Sequence, residues 1–147
     1  MKPPGKLCTF GLDGLLFGIP ADRVQEVLRP QPITPLPLAP PAIAGLLNLR
    51  GQIIPAIDLR RLLGMALRQD RDPACHLVLC RRSGPVSLLV EEIGDVLEAG
   101  EPVVEPPPET LAPRLRQALA GVCPLPGRLL LLLDADQALS SIMSNGG

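Results

Sequence analysis

Residues 45–64 read GLLNLRGQIIPAIDLRRLLG. Two apolar runs, 46–49 and 53–59, have strand character and meet at Arg50-Gly51, a hairpin-like junction. Asp58 stands where it can cap a short helix, LRRLL, which stops at Gly64. Pro55 restricts the second run to an edge strand or a bulge, because proline gives no ladder donor. The puzzle is Arg50: a permanently charged side chain at the tip of a segment otherwise built for burial.

Upstream, residues 7–19, LCTFGLDGLLFGI, form a second hairpin signal around Asp13-Gly14, a favoured two-residue turn. Counting outward pairs Leu12 with Leu15, Phe10 with Phe17 and Cys8 with Ile19 on one face. The chain's two aromatic side chains, both Phe, therefore meet across this hairpin. RVQEVLRP (23–30) reads as a third strand, and a loop holding six prolines, RPQPITPLPLAPP, leads into the opening segment.

The polar stretch 66–73 separates this half from one that resembles it. With an offset of 69, RVQEVL falls on EIGDVL (92–97), placing Glu26 over Asp95. A second proline-rich loop, 101–113, follows, and beyond it the offset becomes 76. Gly45 then falls on Gly121, Gly51 on Gly127, residues 53–57 on the run LLLLL (129–133), and Asp58 on Asp134, which again precedes a helical pattern. Five short strands per copy suit a small, partly open barrel, and neither copy of roughly 60 residues buries much surface alone. The expected fold is mainly β: two small five-stranded barrels packed together, with short helices.

Composition narrows the function. Hydrophobic residues make up 46%, charged residues 20%, and the net charge is −1, without the basic bias of a nucleic-acid partner. No apolar run approaches the roughly 20 residues of a membrane span, and the start, MKPPGKLCTFGLDG, lacks one long enough for a signal peptide, so a cytoplasmic protein without membrane insertion is expected. Cys8, Cys75, Cys80 and Cys123 show no metal-ligand spacing. Cys75 and Cys80, five apart on a strand pattern, point to opposite faces, and buried reduced thiols are their simplest reading. His76 beside Cys75 raises a nucleophile pair, but adjacent strand residues face apart and no orienting group is evident. The neighbours Glu91 and Glu92 also face apart. No phosphate loop and no Ser/His/Asp set appears, so no catalytic residue, cofactor or metal is assigned, and a binding module is expected rather than an enzyme.

The stretch FGIPADRVQEVLRPQPITPLPLAPPAIAGLLNLRGQIIPAIDLRRLLG (17–64) resembles the CheW-like domain of bacterial chemosensory systems. NLRG with IIPAIDLR at 48–60 carries most of the likeness, preceded by FGI and VQEV at 17–27. LLVEEIGDVL (88–97) and LLLLLDADQAL (129–139) extend it over the second half. The resemblance implies one domain over 1–147, with barrels at 7–65 and 74–134 of the SH3-like kind and a C-terminal helix at 135–144. It further implies a non-enzymatic adaptor that couples the cytoplasmic tip of a chemoreceptor to a histidine autokinase, whose regulatory domain is a related doubled barrel. Membrane-associated receptor arrays are where such an adaptor is expected.

On that resemblance Arg50 is the turn arginine facing the receptor, its planar fork suited to a carboxylate or carbonyl. Gly51 lets the turn take positive φ. Val24 and Glu26 match the receptor-facing pair, Ile93 is their carry-over into the second barrel, and Gly45 matches a glycine needed for backbone fit. The chain departs from the family pattern at Phe17 (often Tyr), Ser87 (commonly Gly) and Glu91 (usually Asp). Two other readings are an adaptor of a parallel pathway, for surface motility or second-messenger control, and a thiol-dependent or small-molecule-binding regulator using Cys75, Cys80 and His76.

Overall fold

The computed structural model describes residues 5–66, 74–98 and 104–143. Most of the polar stretch 66–73, the first residues of the second proline-rich loop, 101–103, and the last residue of the expected C-terminal helix lie outside that description. The described residues form ten strands and three short α-helices: β1 (Lys6–Leu12), β2 (Leu15–Pro20), β3 (Val24–Leu28), β4 (Ile43–Leu49), β5 (Gln52–Asp58), α1 (Leu59–Leu62), β6 (Cys75–Leu79), β7 (Val86–Val90), β8 (Glu92–Glu98), α2 (Pro113–Gln117), β9 (Leu119–Leu125), β10 (Arg128–Leu133) and α3 (Ala135–Leu139).

The first hairpin has the anticipated register: Leu12 opposes Leu15, Phe10 opposes Phe17 and Cys8 opposes Ile19. The two phenyl rings stack with centroids 5.3 Å apart and planes 4° from parallel. Asp58 and Asp134 cap α1 and α3, accepting hydrogen bonds from Arg61 N at 3.3 Å and Gln137 N at 3.1 Å. Pro55 sits inside β5 without breaking it. Its partner Leu46 exchanges both of its own backbone bonds with Thr34, so the missing proline N–H faces away from β4, and pairing with β7 begins only at Ala56.

Sheet membership does not follow the sequence halves. One sheet has the order β8-β1-β2-β10-β9, the other β3-β6-β7-β5-β4. Each half keeps its first two strands in one sheet and gives its other three to the sheet built on the other half's hairpin. Residues 7–65 and 74–134 therefore each contribute to both sheets. The repeat survives in the register: adding 69 or 76 to the central pairs of one ladder yields pairs of the other. Thus Phe10 pairs Ile93 as Leu79 pairs Val24, and Leu132 pairs Gly18 as Ala56 pairs Ser87. The bulges correspond too, at 8–10 and 24–26. The edges of each sheet remain distinct strands, so these are barrels in the loose sense of curled sheets.

Alternation distributes the apolar strands between cores. Leu131 and Leu133 of β10 enter a large core with Phe10, Phe17 and Ile19, and the same core holds Leu77, Leu79 and Leu88 of the other sheet. Leu130 and Leu132 point the opposite way, to a small core with Leu7 and Cys123. The second sheet has its own small core of Leu47, Ile54 and Val78. From Leu130 onward the LLLLL run thus reflects a strand covered on both faces, while Leu129 at its start is exposed.

α2 has no counterpart in the first half, and the jump in offset from 69 to 76 is the extra chain that contains it. Pro113 at its first position fits a helix start, where no N–H is needed. α3 ends at Leu139, earlier than the expected 144. Ser140 Oγ and Ser141 Oγ donate to the carbonyls of Gln137 and Ala138, and these bonds draw the following chain into a turn.

Strand exchange predicts that neither half is an independent unit. Fragments 1–70 and 71–147, each made alone, should show no cooperative thermal transition by circular dichroism, and mixing them should restore one. A cooperative melt from either fragment alone would contradict the topology.

Candidate functional site

The Arg50-Gly51 turn has φ of +53° and +88°, the geometry of a primed hairpin turn. Asn48 Oδ1 accepts from Gly51 N at 3.0 Å and steadies it. In the first hairpin the same task falls to Asp13-Gly14, with φ of +56° and +76°, residue types that tolerate this region. In the second half the matching turn is Pro126-Gly127, where only the glycine has positive φ. Arginine carries a Cβ clash in the left-handed region that neither alternative incurs as severely. The turn can be built without it, so the residue type has another reason.

Arg50 lies against Glu26. Nη1 donates to Oε1 at 3.3 Å, and Nη2 pairs with Oε2. That hydrogen-bonded guanidinium holds the Glu26 carboxyl below its ordinary range. The contact runs from the β4–β5 turn at one edge of the second sheet to β3 at the other edge, so it spans the seam of the curled sheet. The guanidinium side chain is 67% exposed. An open fork waiting for a partner's carboxylate is therefore not what the free chain presents, because Glu26 already occupies it.

The bulge between Val24 and Glu26 breaks strand alternation. Val24 turns toward the shared core, Leu28 toward the small one, and Glu26 stays within reach of Arg50. Ile93 holds the place of Val24 in the other sheet, opposite Phe10, and packs against the same shared core. Arg50, Gly51 and Glu26 are thus brought together at the surface, with Val24 set behind them and Ile93 on the other sheet. Ile53, just past the turn, and Val27, beside Glu26, are exposed. Gly45 has a direct cause: a Cβ there would lie 2.3 Å from Thr34 O, and Gly121 is under the same pressure from Glu105 O.

Sequence patterns did not reveal the cluster around Arg60. This side chain, 1% exposed, extends from α1 to Asp13 Oδ1 (3.0 Å), to the Ala66 carbonyl (2.6 Å) and to Glu91 Oε2. Glu91 Oε1 accepts from Asp13 N at 3.0 Å. Burial alone would lower the Arg60 pKa, but the bonds it donates to Glu91 and then Asp13 prevail and raise it. The cluster ties α1 to the turn of the first hairpin and to the junction where the chain leaves one sheet for the other. Glu91, read as an unremarkable strand carboxylate, is one of its members. A buried arginine in LRR was the missing signal, since its neighbours are far apart in sequence.

His76 is buried, and both ring nitrogens are engaged. Nε2 accepts from Gln31 N at 3.2 Å, which places the proton on Nδ1, 2.9 Å from Ser87 Oγ. It forms no pair with Cys75; instead it pins the first proline-rich loop to β6. Among the described residues no group of three or more His, Cys, Asp or Glu side chains could hold a metal ion, and no helix is long and apolar enough to cross a membrane.

The sequence matches the family model of the CheW-like domain over residues 6–143. It is 29% identical over 136 residues to the chemotaxis protein CheW of Rhizobium meliloti (strain 1021), covering 92% of this chain and 88% of that one. To the chemotaxis protein CheW of Klebsiella aerogenes it is 32% identical over 133 residues, covering 90% and 80%. The fold resembles the crystal structure of the scaffolding protein TtCheW from Thermoanaerobacter tengcongensis with a TM-score of 0.82 and 26% identity, covering 100% of this chain and 93% of that one.

Two measurements test the buried polar groups. Replacing Arg60 with Ala leaves two carboxylates facing each other and should lower unfolding stability by about 3 kcal/mol, the low end for a broken buried pair because both acids keep some water. Burial depresses the His76 pKa, so the unfolded chain takes up its proton more readily than the folded one. Its contribution is complete above about pH 6.5 and is lost as pH falls through the folded value. Denaturant melts between pH 7.5 and 5 should show this decline in the native chain and a weaker one in His76→Gln.

Proposed function

This chain belongs to the CheW-like domain family, and on that premise we propose that it couples a chemoreceptor's cytoplasmic tip to the regulatory domain of a histidine kinase. It is an adaptor of the chemotaxis scaffold class, acting by association. The receptor-facing surface in this reading is the Arg50-Gly51 turn with Glu26. Val24 supports it from within the shared core, and Ile93 plays the corresponding part on the other sheet.

The observation that carries the reading is the conformation of Arg50. A long cation holds a left-handed turn position that aspartate fills in the first hairpin, and that the Pro126-Gly127 turn of the second half does without. Residues kept against backbone preference cluster where a fold meets its partner. The side chain is exposed, so the strain is not offset by burial, and its ion pair with Glu26 is screened by water. A polar, paired fork flanked by exposed Ile53 and Val27 suits the end of a helical hairpin, whose turn offers carbonyls and acidic side chains beside apolar ones.

Arg50→Glu and Arg50→Asn separate binding from folding. Both should weaken co-sedimentation with a receptor signalling fragment by at least about tenfold, as expected for a lost charge-assisted contact, while leaving capture by the kinase regulatory domain intact. Arg50→Asn removes an unfavourable turn residue, so its melting temperature should equal or exceed that of the native chain. Unchanged receptor affinity in both variants would overturn the assignment.

A further inference from the structure

The symmetry that relates the two halves puts Arg60 and Asp136 at equivalent helix positions with opposite charge, and each centres an ionic cluster. Arg60 is the second residue of α1 and is enclosed by Asp13 and Glu91. Asp136 is the second residue of α3, and what it meets is cations. Arg23 Nη2 donates to Asp136 Oδ1 at 3.0 Å and Nη1 to Oδ2 at 3.4 Å, while Arg81 Nε lies 3.8 Å from Oδ1. Arg23 belongs to the short turn that joins β2 to β3, and Arg81 to the loop that joins β6 to β7.

The two clusters differ in closure. Beside Arg60 there is a space of only about 30 Å³, about the volume of one water. The second cluster opens on a cavity of about 280 Å³ lined by Arg23, Cys80, Arg81, Arg82 and Asp136. Three arginines and one aspartate line it, a surplus of two positive charges among the lining side chains. Arg81 is the least satisfied of them. Its side chain is 6% exposed, and its Nε has no hydrogen-bond acceptor among the described residues. Its Nη1 has Met143 Sδ at 3.7 Å, and a thioether is a weak acceptor. A buried guanidinium N–H left without an oxygen is costly and calls for an explanation.

We propose that this cavity is an oxyanion site that takes a dianionic phosphate group, free or as a monoester. Planar forks present paired N–H donors that match phosphate oxygens. A phosphate near neutral pH carries close to two negative charges, which balances the surplus, whereas a carboxylate leaves one cation uncompensated. Its oxygens can accept from the guanidinium groups of Arg81 and Arg82 that line the cavity. Occupancy ties together the β2–β3 turn, the β6–β7 loop and α3, segments that belong to both sheets, so binding also stabilises the fold.

Titration calorimetry and thermal melts of the full chain at low salt, with inorganic phosphate and O-phosphoserine as separate probes and chloride matched for ionic strength, test the site. Saturable one-to-one binding is expected, with a raised melting temperature. Arg23→Gln and Arg81→Gln should weaken it by at least about tenfold. Arg82→Gln, at the exposed rim, should weaken it without disturbing the fold. Asp136→Asn, which removes the competing anion, should bind more tightly than the native chain. Binding of inorganic phosphate alone identifies a free anion as the ligand, and binding of O-phosphoserine identifies a monoester; either upholds the site. Absence of saturable binding for both probes, or equal binding by the native chain and the Arg82→Gln and Asp136→Asn variants, overturns it.

Discussion

Neither half of this chain can complete a sheet by itself. Each hairpin, β1–β2 or β6–β7, takes its remaining neighbours from the other half, and that exchange governs the rest of the structure. It forces the chain to cross between sheets at residues 21–23 and at Glu91, and both crossings carry an ionic cluster anchored on a helix. It also explains why the largest core is shared. Phe10 and Phe17 face Leu77, Leu79 and Leu88 because the hairpins that found the two sheets pack against each other. Separating the sheets would expose that core and break the crossings together, so the halves should unfold as one unit.

Local features of this architecture were readable in the residues. The Asp13-Gly14 turn and alternating apolar positions determine the first hairpin's pairing, and Asp58 and Asp134 announce their helices by cap chemistry. The repeat was visible as an ordered set of landmarks, and Gly45 with Gly121 and residues 53–57 with 129–133 hold equivalent places in the ladders. Choice of partner strand was not readable. The offset relating Phe10 to Leu79 is the same whether β3 joins its own half's sheet or the other one, since side-chain period constrains facing and not neighbourhood. Tertiary context also explains Pro55, harmless because Leu46 bonds to Thr34, and α2, too short for a periodic signal.

The surface proposed to face the receptor was legible to a different degree. Arg50, Glu26 and Gly51 came from the NLRG and VQEV motifs, and the structure adds that two of them are ion-paired across the seam of a curled sheet. That pairing was foreseeable from neither motif, because the residues are 24 apart and lie on opposite edges. It also changes the chemistry: the surface offers a preformed cation–anion pair, which aligns dipoles and carbonyls on a partner more readily than it captures a lone carboxylate. The contrast between Arg50 and Arg60 is instructive. They stand ten residues apart in one motif-rich segment, yet one is exposed in a turn that does not require it while the other is enclosed and joins three segments.

The account holds that a body with two curled sheets joins two other proteins at once through separate faces. The most direct measurement immobilises the kinase regulatory domain and asks whether a soluble receptor signalling fragment is retained. Retention should depend on this chain and rise in proportion to the amount of it bound. If added receptor fragment instead displaced the chain from the kinase domain, the two partners would share one face, and the adaptor account would be contradicted.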